Sequence, residues 1–175
     1  MQTTTVKLYQ WGYDEARTYL AALAFILGNI VLPQLFHLVP QGGVTWLPIY
    51  FFTLVGSYKY GWRVGLLTAV FSPLVNSILF GMPHAAALPA ILMKSVLMAM
   101  AGGFVASHFR KATIGLLTLV VLFYQILGTL GEWAMKGDFL LAAQDFRIGI
   151  PGMLLQVFGG WLLINFTGNK KNKSE

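Results

Sequence analysis

The feature that most constrains this chain is a succession of long apolar runs separated by short polar turns. Hydrophobic residues make up 57% of the sequence and charged residues only 10%. Soluble domains carry about 25% charged residues, so this composition excludes an ordinary soluble domain. A helix of about 20 apolar residues is long enough to cross the hydrocarbon core of a bilayer. The sequence therefore predicts an all-α integral membrane protein.

Turn signals divide the apolar sequence into six predicted membrane spans. Pro and Gly mark the turns at 40–43 and 81–84, and basic residues mark those at 59–63 and 110–111. The predicted spans are residues 16–39, 44–58, 64–80, 85–109, 112–131 and 148–166. They form one membrane domain over residues 16–167, preceded by a tail or interfacial segment (1–15) and followed by a charged tail (168–175). Six spans leave no room for a soluble domain, since each crossing takes about 20 residues.

Successive turns of a six-span protein lie on alternate sides of the membrane, and lysine and arginine are distributed unevenly between these two sides. Nine of the twelve belong to one side, two belong to the other, and Lys94 lies within a span. The nine are Lys7, Arg17, Lys59, Arg63, Arg110, Lys111, Lys170, Lys171 and Lys173, and the two are Lys136 and Arg147. Cytoplasmic loops of membrane proteins carry the excess of positive charge. The bias predicts that both termini of this six-helix bundle are cytoplasmic.

Polar side chains interrupt the spans at one level of the outer half. Four of them lie within about nine residues of an outer turn, which at 1.5 Å per residue is roughly 8–14 Å below the surface. They are Asn76, Lys94, Gln125 and Gln156. Closer to the surface lie His37, Gln41, Trp46, His84, Glu132, Trp133 and Arg147. This layer predicts a substrate pocket that opens on the outer face, with the hairpin 71–94 as one wall.

Lys94 is the most informative member of the layer, because a charge in mid-span costs about 2.5–3.5 kcal/mol. Its functional interpretation is a cation that meets an anionic group of the ligand, such as a carboxylate. Its structural alternatives are snorkelling to the outer surface or an ion pair with Glu132. The three amide side chains have an alternative role as interhelical hydrogen bonds, and the two tryptophans as members of an interfacial belt.

Small residues follow one face of the first span. Ala21, Ala24 and Gly28 are spaced i, i+3 and i+7, a pattern that lets another helix approach closely. The functional interpretation is a docking face for a second membrane protein. The alternative is packing inside this bundle, which is also the expectation for similar runs in the fourth and sixth spans.

Motifs for catalysis and cofactor binding are missing from the sequence. There is no cysteine, Walker motif, GxSxG, HExxH or metal-spaced histidine cluster, so we expect no metal or cofactor site and no ATPase in this chain. No basic patch is interleaved with aromatic residues in the way that nucleic-acid binding requires. Acids outside the tails are confined to Glu132, Asp138 and Asp145. Three hypotheses follow: a solute-binding transport subunit, a ligand-free scaffold or assembly protein, and a small intramembrane enzyme.

The middle of the chain carries the most specific pattern. Leu47-Pro48 opens the second span, Gly61 and Gly65 form a Gly-x-x-x-Gly at the start of the third, and Gly81-Met82-Pro83 forms the next turn. Together with the chain length, the six-span plan and the cytoplasmic termini, these motifs resemble the substrate-binding S components of energy-coupling factor (ECF) vitamin transporters. The resemblance covers most of the chain.

The resemblance implies a vitamin-like ligand on the outer side of a prokaryotic cell membrane. It also implies three partners, which are a transmembrane coupling subunit and two ATPase subunits. The docking motif of the family, Ala-x-x-x-Ala on the first span, has its nearest equivalent here in Ala24-x-x-x-Gly28, with Ala21 one turn earlier. Family pockets use outer loops one, three and five with spans four to six. Lys94 favours an anionic ligand, and no residue pattern separates pantothenate, biotin, lipoate, a folate or a pyrimidine precursor.

Overall fold

Helices are the only regular structure in the computed structural model, which describes residues 7–167. They are α1 (Ala16–Phe36), α2 (Gly42–Trp46), a 3-10 turn (Pro48–Tyr50), α3 (Phe51–Tyr60), α4 (Trp62–Phe80), α5 (Leu88–Phe109), α6 (Ile114–Lys136), α7 (Phe139–Ala142), α8 (Gln144–Ile148) and α9 (Ile150–Phe166). The all-α prediction is confirmed for these residues. The predicted tail at 168–175 and the first six residues lie outside the described part of the chain.

Four of these helices are long and apolar enough to cross a membrane: α1, α4, α5 and α6. A fifth candidate within residues 7–167 is formed by 139–148 together with α9, two pieces that meet at an angle of 49°. Large apolar side chains are exposed along the outside of the bundle, as a lipid-facing surface requires. The chain is therefore a multi-pass membrane protein.

The segment predicted as a second continuous span is divided into three pieces. Leu47 adopts a left-handed conformation (φ 45°, ψ 45°) between α2 and the 3-10 turn. Pro48 explains the break, because its ring disfavours helical geometry in the preceding residue and it has no N–H to donate. The α3 helix that follows has only ten residues, about 15 Å of length. The result is a short buried helix preceded by an irregular entry.

The two sets of turns gather at opposite ends of the bundle. At one end, the Tyr58 hydroxyl donates to the Lys111 carbonyl, and the Lys59 ammonium donates to the Ile164 carbonyl. The N-terminal segment is attached at the same end, because the Tyr9 N–H donates to the Lys59 carbonyl. We call this end, with residues 59–63 and 110–113, the basic end. The opposite end, with residues 37–50, 81–88 and 137–149, is the loop end.

Glycines bring the three central helices into close contact. A Cβ added at Gly65 would lie 2.2 Å from the Ser57 Cβ, and one at Gly103 would lie 2.4 Å from the Trp62 Cβ. Backbone approach of this kind needs residues without side chains. Of the small-residue run of α5 (Ala99, Gly103 and Ser107), Ala99 and Gly103 are used inside the bundle, as expected, whereas Ser107 is exposed.

A buried asparagine that gave no signal in the sequence joins α1, α3 and α4. The Asn29 side-chain amide donates to the Thr53 and Ser72 hydroxyls, both at 3.2 Å. Its oxygen accepts from the Phe52 N–H at the start of α3, where no helical acceptor exists. This network joins α4 to α1 and α3, and Asn76 lies four residues beyond Ser72 toward the loop end of α4.

Candidate functional site

A cavity of about 490 Å³ opens at the loop end. It is lined by residues 39–44, 47–50 and 82–84 together with Pro33, His37, Asn76, Ala87, Ile91 and Asp145. Turn residues shape it: a Cβ on Gly42 would lie 1.9 Å from the Phe36 carbonyl oxygen, so only glycine allows this fold-back after α1. The irregular segment around Pro48, residues 47–50, forms part of the cavity wall.

Asn76 is a buried polar residue of the cavity wall, and only 1% of it is exposed. Its Nδ2 donates to the Asn29 and Ser72 carbonyls, each at 2.9 Å. Two carbonyl acceptors require the nitrogen on that side, so the orientation of the amide is determined. The Oδ1 atom is buried and has no hydrogen-bond partner in the described residues. It is an acceptor without a donor, on a residue that lines the cavity.

Tyr50, which also lines the cavity, carries a second unpaired group. Its hydroxyl is buried and has no partner within residues 7–167, and its ring lies 5.3 Å from the ring of Tyr124. The Tyr124 hydroxyl is used differently, since it donates to Gln156 Oε1 at 2.9 Å. The Gln156 amide in turn donates to the Leu47 carbonyl at 3.3 Å. Gln156 thus supports the cavity entry without lining it.

Lys94 lies at the centre of a buried ion cluster behind the cavity. Its Nζ donates to Glu132 Oε2 and to Asp145 Oδ2, both at 2.6 Å. Glu132 also accepts from Lys136 at 2.5 Å. Only 1% of the Lys94 side chain is exposed, whereas Asp145 is 23% exposed and lines the cavity. Asp145 therefore lines the cavity, whereas the Lys94 ammonium is enclosed between the Asp145 and Glu132 carboxylates.

The predicted site residues occupy different positions around this cavity. Asn76 and His84 line it, together with the predicted mouth residues His37 and Gln41. Lys94, Gln125, Gln156 and Glu132 are buried outside its lining, Trp46 stacks on Phe36, Trp133 contacts Phe139 edge-on, and Arg147 is exposed. All four members of the predicted polar layer are buried, but Asn76 alone among them lines the cavity.

Two residues of the site were not predicted from the sequence. In the sequence, Asp145 is simply one of the acids in the long polar connection. A buried lysine such as Lys94 needs a counter-charge. A search for that counter-charge among all the acids at the loop end would have found Asp145. Tyr50 gave no signal, because an aromatic residue in an apolar run is usually part of the core.

Gln125 remains unexplained by the cavity. Both polar atoms of its side-chain amide are buried without a partner in the described residues, as are the hydroxyls of Ser95 and Thr129. Gln125, Thr129 and Glu132 follow one face of α6 at spacings of four and three residues. From Glu132 in the ion cluster, this face of α6 extends toward the middle of the bundle.

The small-residue face of α1 is divided between two environments. Gly28 packs inside the bundle, since an added Cβ would lie 2.8 Å from the Phe52 ring. Ala24 is exposed, and Ala21 is half-buried. Both alanines line a shallow surface groove of about 350 Å³ that also contains Trp11 and Arg17 near the basic end. Only the alanine part of the predicted stripe is therefore accessible to another molecule.

Comparison of this chain with protein-family models, with curated proteins and with solved structures finds no match. Its function is therefore inferred from the residues and geometry described above.

Proposed function

We propose that this protein is the solute-binding subunit of an ATP-driven importer of the ECF type. In this proposal it crosses the cell membrane of a prokaryote six times and captures a vitamin-sized molecule at its outer face. A transmembrane coupling subunit and two ATPase subunits supply the energy, because the sequence carries no nucleotide-binding motif.

One observation carries the proposal: two residues that line the loop-end cavity have buried polar atoms without a hydrogen-bond partner in the described residues. Small-molecule sites are typically concave, mainly apolar, and about 300–1,000 Å³ in volume, with a few polar groups that orient the ligand. The cavity has about 490 Å³, an apolar wall of Val, Leu, Ile and Pro residues, and the unpaired Asn76 Oδ1 and Tyr50 hydroxyl. Buried polar groups normally have partners, so unpaired ones on residues that line a cavity are suited to a ligand.

The membrane topology belongs to the proposal as well. Six crossings are α1, the broken segment from α2 to α3, α4, α5, α6 and α9. Positive residues are concentrated at the basic end, which supports a cytoplasmic location for that end. The loop-end cavity then opens on the outside, where an importer must capture its solute. The accessible Ala21 and Ala24 of α1 are suited to contact a helix of the coupling subunit.

Ligand binding by the purified protein tests the function directly. Protein purified in mild detergent is expected to bind one small molecule with submicromolar affinity, measured by native mass spectrometry and calorimetry after extraction of the co-purified compound. Protein that carries no compound, and that no water-soluble vitamin stabilises against heat, would contradict the proposal.

Cysteine labelling tests the topology independently. The natural chain has no cysteine, so single substitutions give an unambiguous signal. A membrane-impermeant thiol reagent applied to intact cells is expected to label Gln41→Cys and His84→Cys at the loop end. It should label Lys111→Cys at the basic end only after the membrane is permeabilised. The reverse pattern would place the cavity in the cytoplasm.

A ligand-free scaffold is the second candidate, and one observation favours it. Lys94, Glu132 and Gln156 all make interhelical contacts within the protein, which is the behaviour of residues that only hold a bundle together. Native mass spectrometry separates the two candidates, because a scaffold has no stoichiometric small molecule to release.

A further inference from the structure

We infer that the loop-end cavity selects a solute whose polar end is a nitrogen-containing, N–H-donating group that is neutral or positively charged, with an apolar remainder. The inference rests on the proposed function and specifies the chemistry of its ligand. It differs from the anionic ligand that an unpaired Lys94 would favour.

The first observation is the character of the unpaired groups. Asn76 lines the cavity, and of its two polar side-chain atoms only the oxygen lacks a partner in the described residues, because the nitrogen donates to two backbone carbonyls. A carbonyl oxygen of this kind accepts hydrogen bonds and cannot donate them. A ligand satisfies it only by supplying a donor. The buried Tyr50 hydroxyl can either accept a hydrogen bond or donate one, so it can pair with the same ligand.

The second observation is the sign of the charge at the wall. Asp145 lines the cavity, while Lys94 does not. The Lys94 ammonium already donates to two carboxylates at 2.6 Å and is almost completely buried. A ligand carboxylate in the cavity would lie near the Asp145 carboxylate, and like charges at short range repel each other. To reach Lys94 it would first have to displace Asp145.

The third observation is the location of the donors that could serve an anion. His37, Gln41 and His84 line the cavity, but all three are exposed. Hydrogen bonds and charges at exposed positions contribute little, because water competes for them. The buried polar groups on the cavity wall, Asn76 and Tyr50, therefore dominate selection, and Asp145 adds a negative charge beside them.

The test identifies the compound that co-purifies with the wild-type protein and measures its affinity for three variants. Thiamine, pyridoxine and biotin serve as cationic, neutral and anionic reference probes in the same thermal-shift assay. We expect the bound compound to lack a carboxylate and to donate N–H groups. Tyr50→Phe is expected to weaken its binding roughly threefold to tenfold, the loss of one hydrogen bond. Asp145→Asn is expected to weaken it by more than about tenfold, because a charge-assisted contact is lost.

Two controls separate loss of binding from loss of folding. The third variant, Asp138→Asn, removes a charge from the same connection, at an exposed position outside the cavity, and should leave affinity unchanged. Tyr50→Phe removes a hydroxyl that makes no hydrogen bond in the described residues, so its melting temperature without ligand should equal that of the wild type or exceed it.

The outcomes distinguish this inference from the proposed function. A bound carboxylate compound whose affinity survives Asp145→Asn overturns the inference and leaves solute capture intact. The inference is overturned in the same way if biotin alone among the three probes stabilises the wild type. A wild-type protein that carries no compound and responds to no vitamin overturns the proposed function itself.

Discussion

The loop end and the basic end of this bundle both bury polar groups, but they use them differently. At the basic end the Lys59 ammonium donates to the Ile164 carbonyl and the Thr167 hydroxyl, and the Tyr58 hydroxyl donates to the Lys111 carbonyl. Within residues 7–167, the buried side-chain atoms without partners all lie between the middle of the bundle and the loop end.

The difference supports the proposed ligand site at the loop end and a structural role for the basic end. A buried polar group without a partner costs about 1–3 kcal/mol, so a bundle selected for stability alone would pair such atoms at both ends. Aromatic packing of Tyr9, Trp11 and Tyr60 closes the basic end further. The loop end instead keeps Asn76 and Tyr50 unpaired, among the described residues, around an open cavity.

The largest effect is expected from removing the central charge of the loop-end ion cluster. Lys94→Met should lower the free energy of unfolding by about 3–5 kcal/mol, because it removes the ion-pair partner of Asp145 and the more buried of the two partners of Glu132. Thermal and denaturant unfolding in detergent measure this. Lys136→Met is the matched control. In this variant Glu132 still pairs with Lys94, so the free energy of unfolding should fall by only about 0.3–0.5 kcal/mol. Equal losses in the two variants would refute the buried cluster.

A smaller effect on stability, and none on binding, is expected at the basic end. Lys59→Met should cost about 1–3 kcal/mol, since it leaves the acceptors near the end of α9 without their donor. The exposed Lys111→Met should cost almost nothing, because the Lys111 contact to Tyr58 uses its backbone carbonyl. Affinity for the co-purified compound should be unchanged in both. Loss of affinity in a fully folded Lys59→Met variant would contradict a purely structural role for the basic end.

The smallest effect on stability is expected on the accessible face of α1. Ala24→Leu should change the free energy of unfolding by less than about 0.5 kcal/mol, because the side chain is exposed. It should nevertheless weaken assembly with the proposed coupling subunit, since a larger side chain blocks close helix approach. Co-purification of the complex measures this, with Leu23→Ala on the neighbouring exposed face as control. Unchanged assembly would remove Ala24 from the docking face.

The sequence was sufficient for the helical membrane class and for the grouping of turns at two ends. Hydropathy and turn residues such as Gly81 and Pro83 depend only on local composition, and they predicted α4, α5 and the turn between them well. The break at Leu47 was harder to predict. A proline such as Pro48 is compatible with the first turn of a continuous helix, whereas the close packing of Gly152 against Trp46 completes an irregular entry.

The cavity was only partly predictable because depth along a helix does not give direction. Asn76, Lys94, Gln125 and Gln156 are all buried, yet rotation about each helix axis sends three of them away from the cavity. A depth estimate uses the 1.5 Å rise, while the facing direction depends on packing against neighbours. Long-range pairing was equally hidden: Lys94 and Asp145 are 51 residues apart in sequence.

The most direct test of solute capture at the loop end is to fill each of the two surface depressions in turn. Ala87→Trp places a large ring in the loop-end cavity, and Ala21→Trp places the same ring in the groove near the basic end. Calorimetry with the co-purified compound should show binding abolished in Ala87→Trp and unchanged in Ala21→Trp, with both variants folded. Full binding by Ala87→Trp, or its loss in Ala21→Trp alone, would contradict capture of the solute in this cavity.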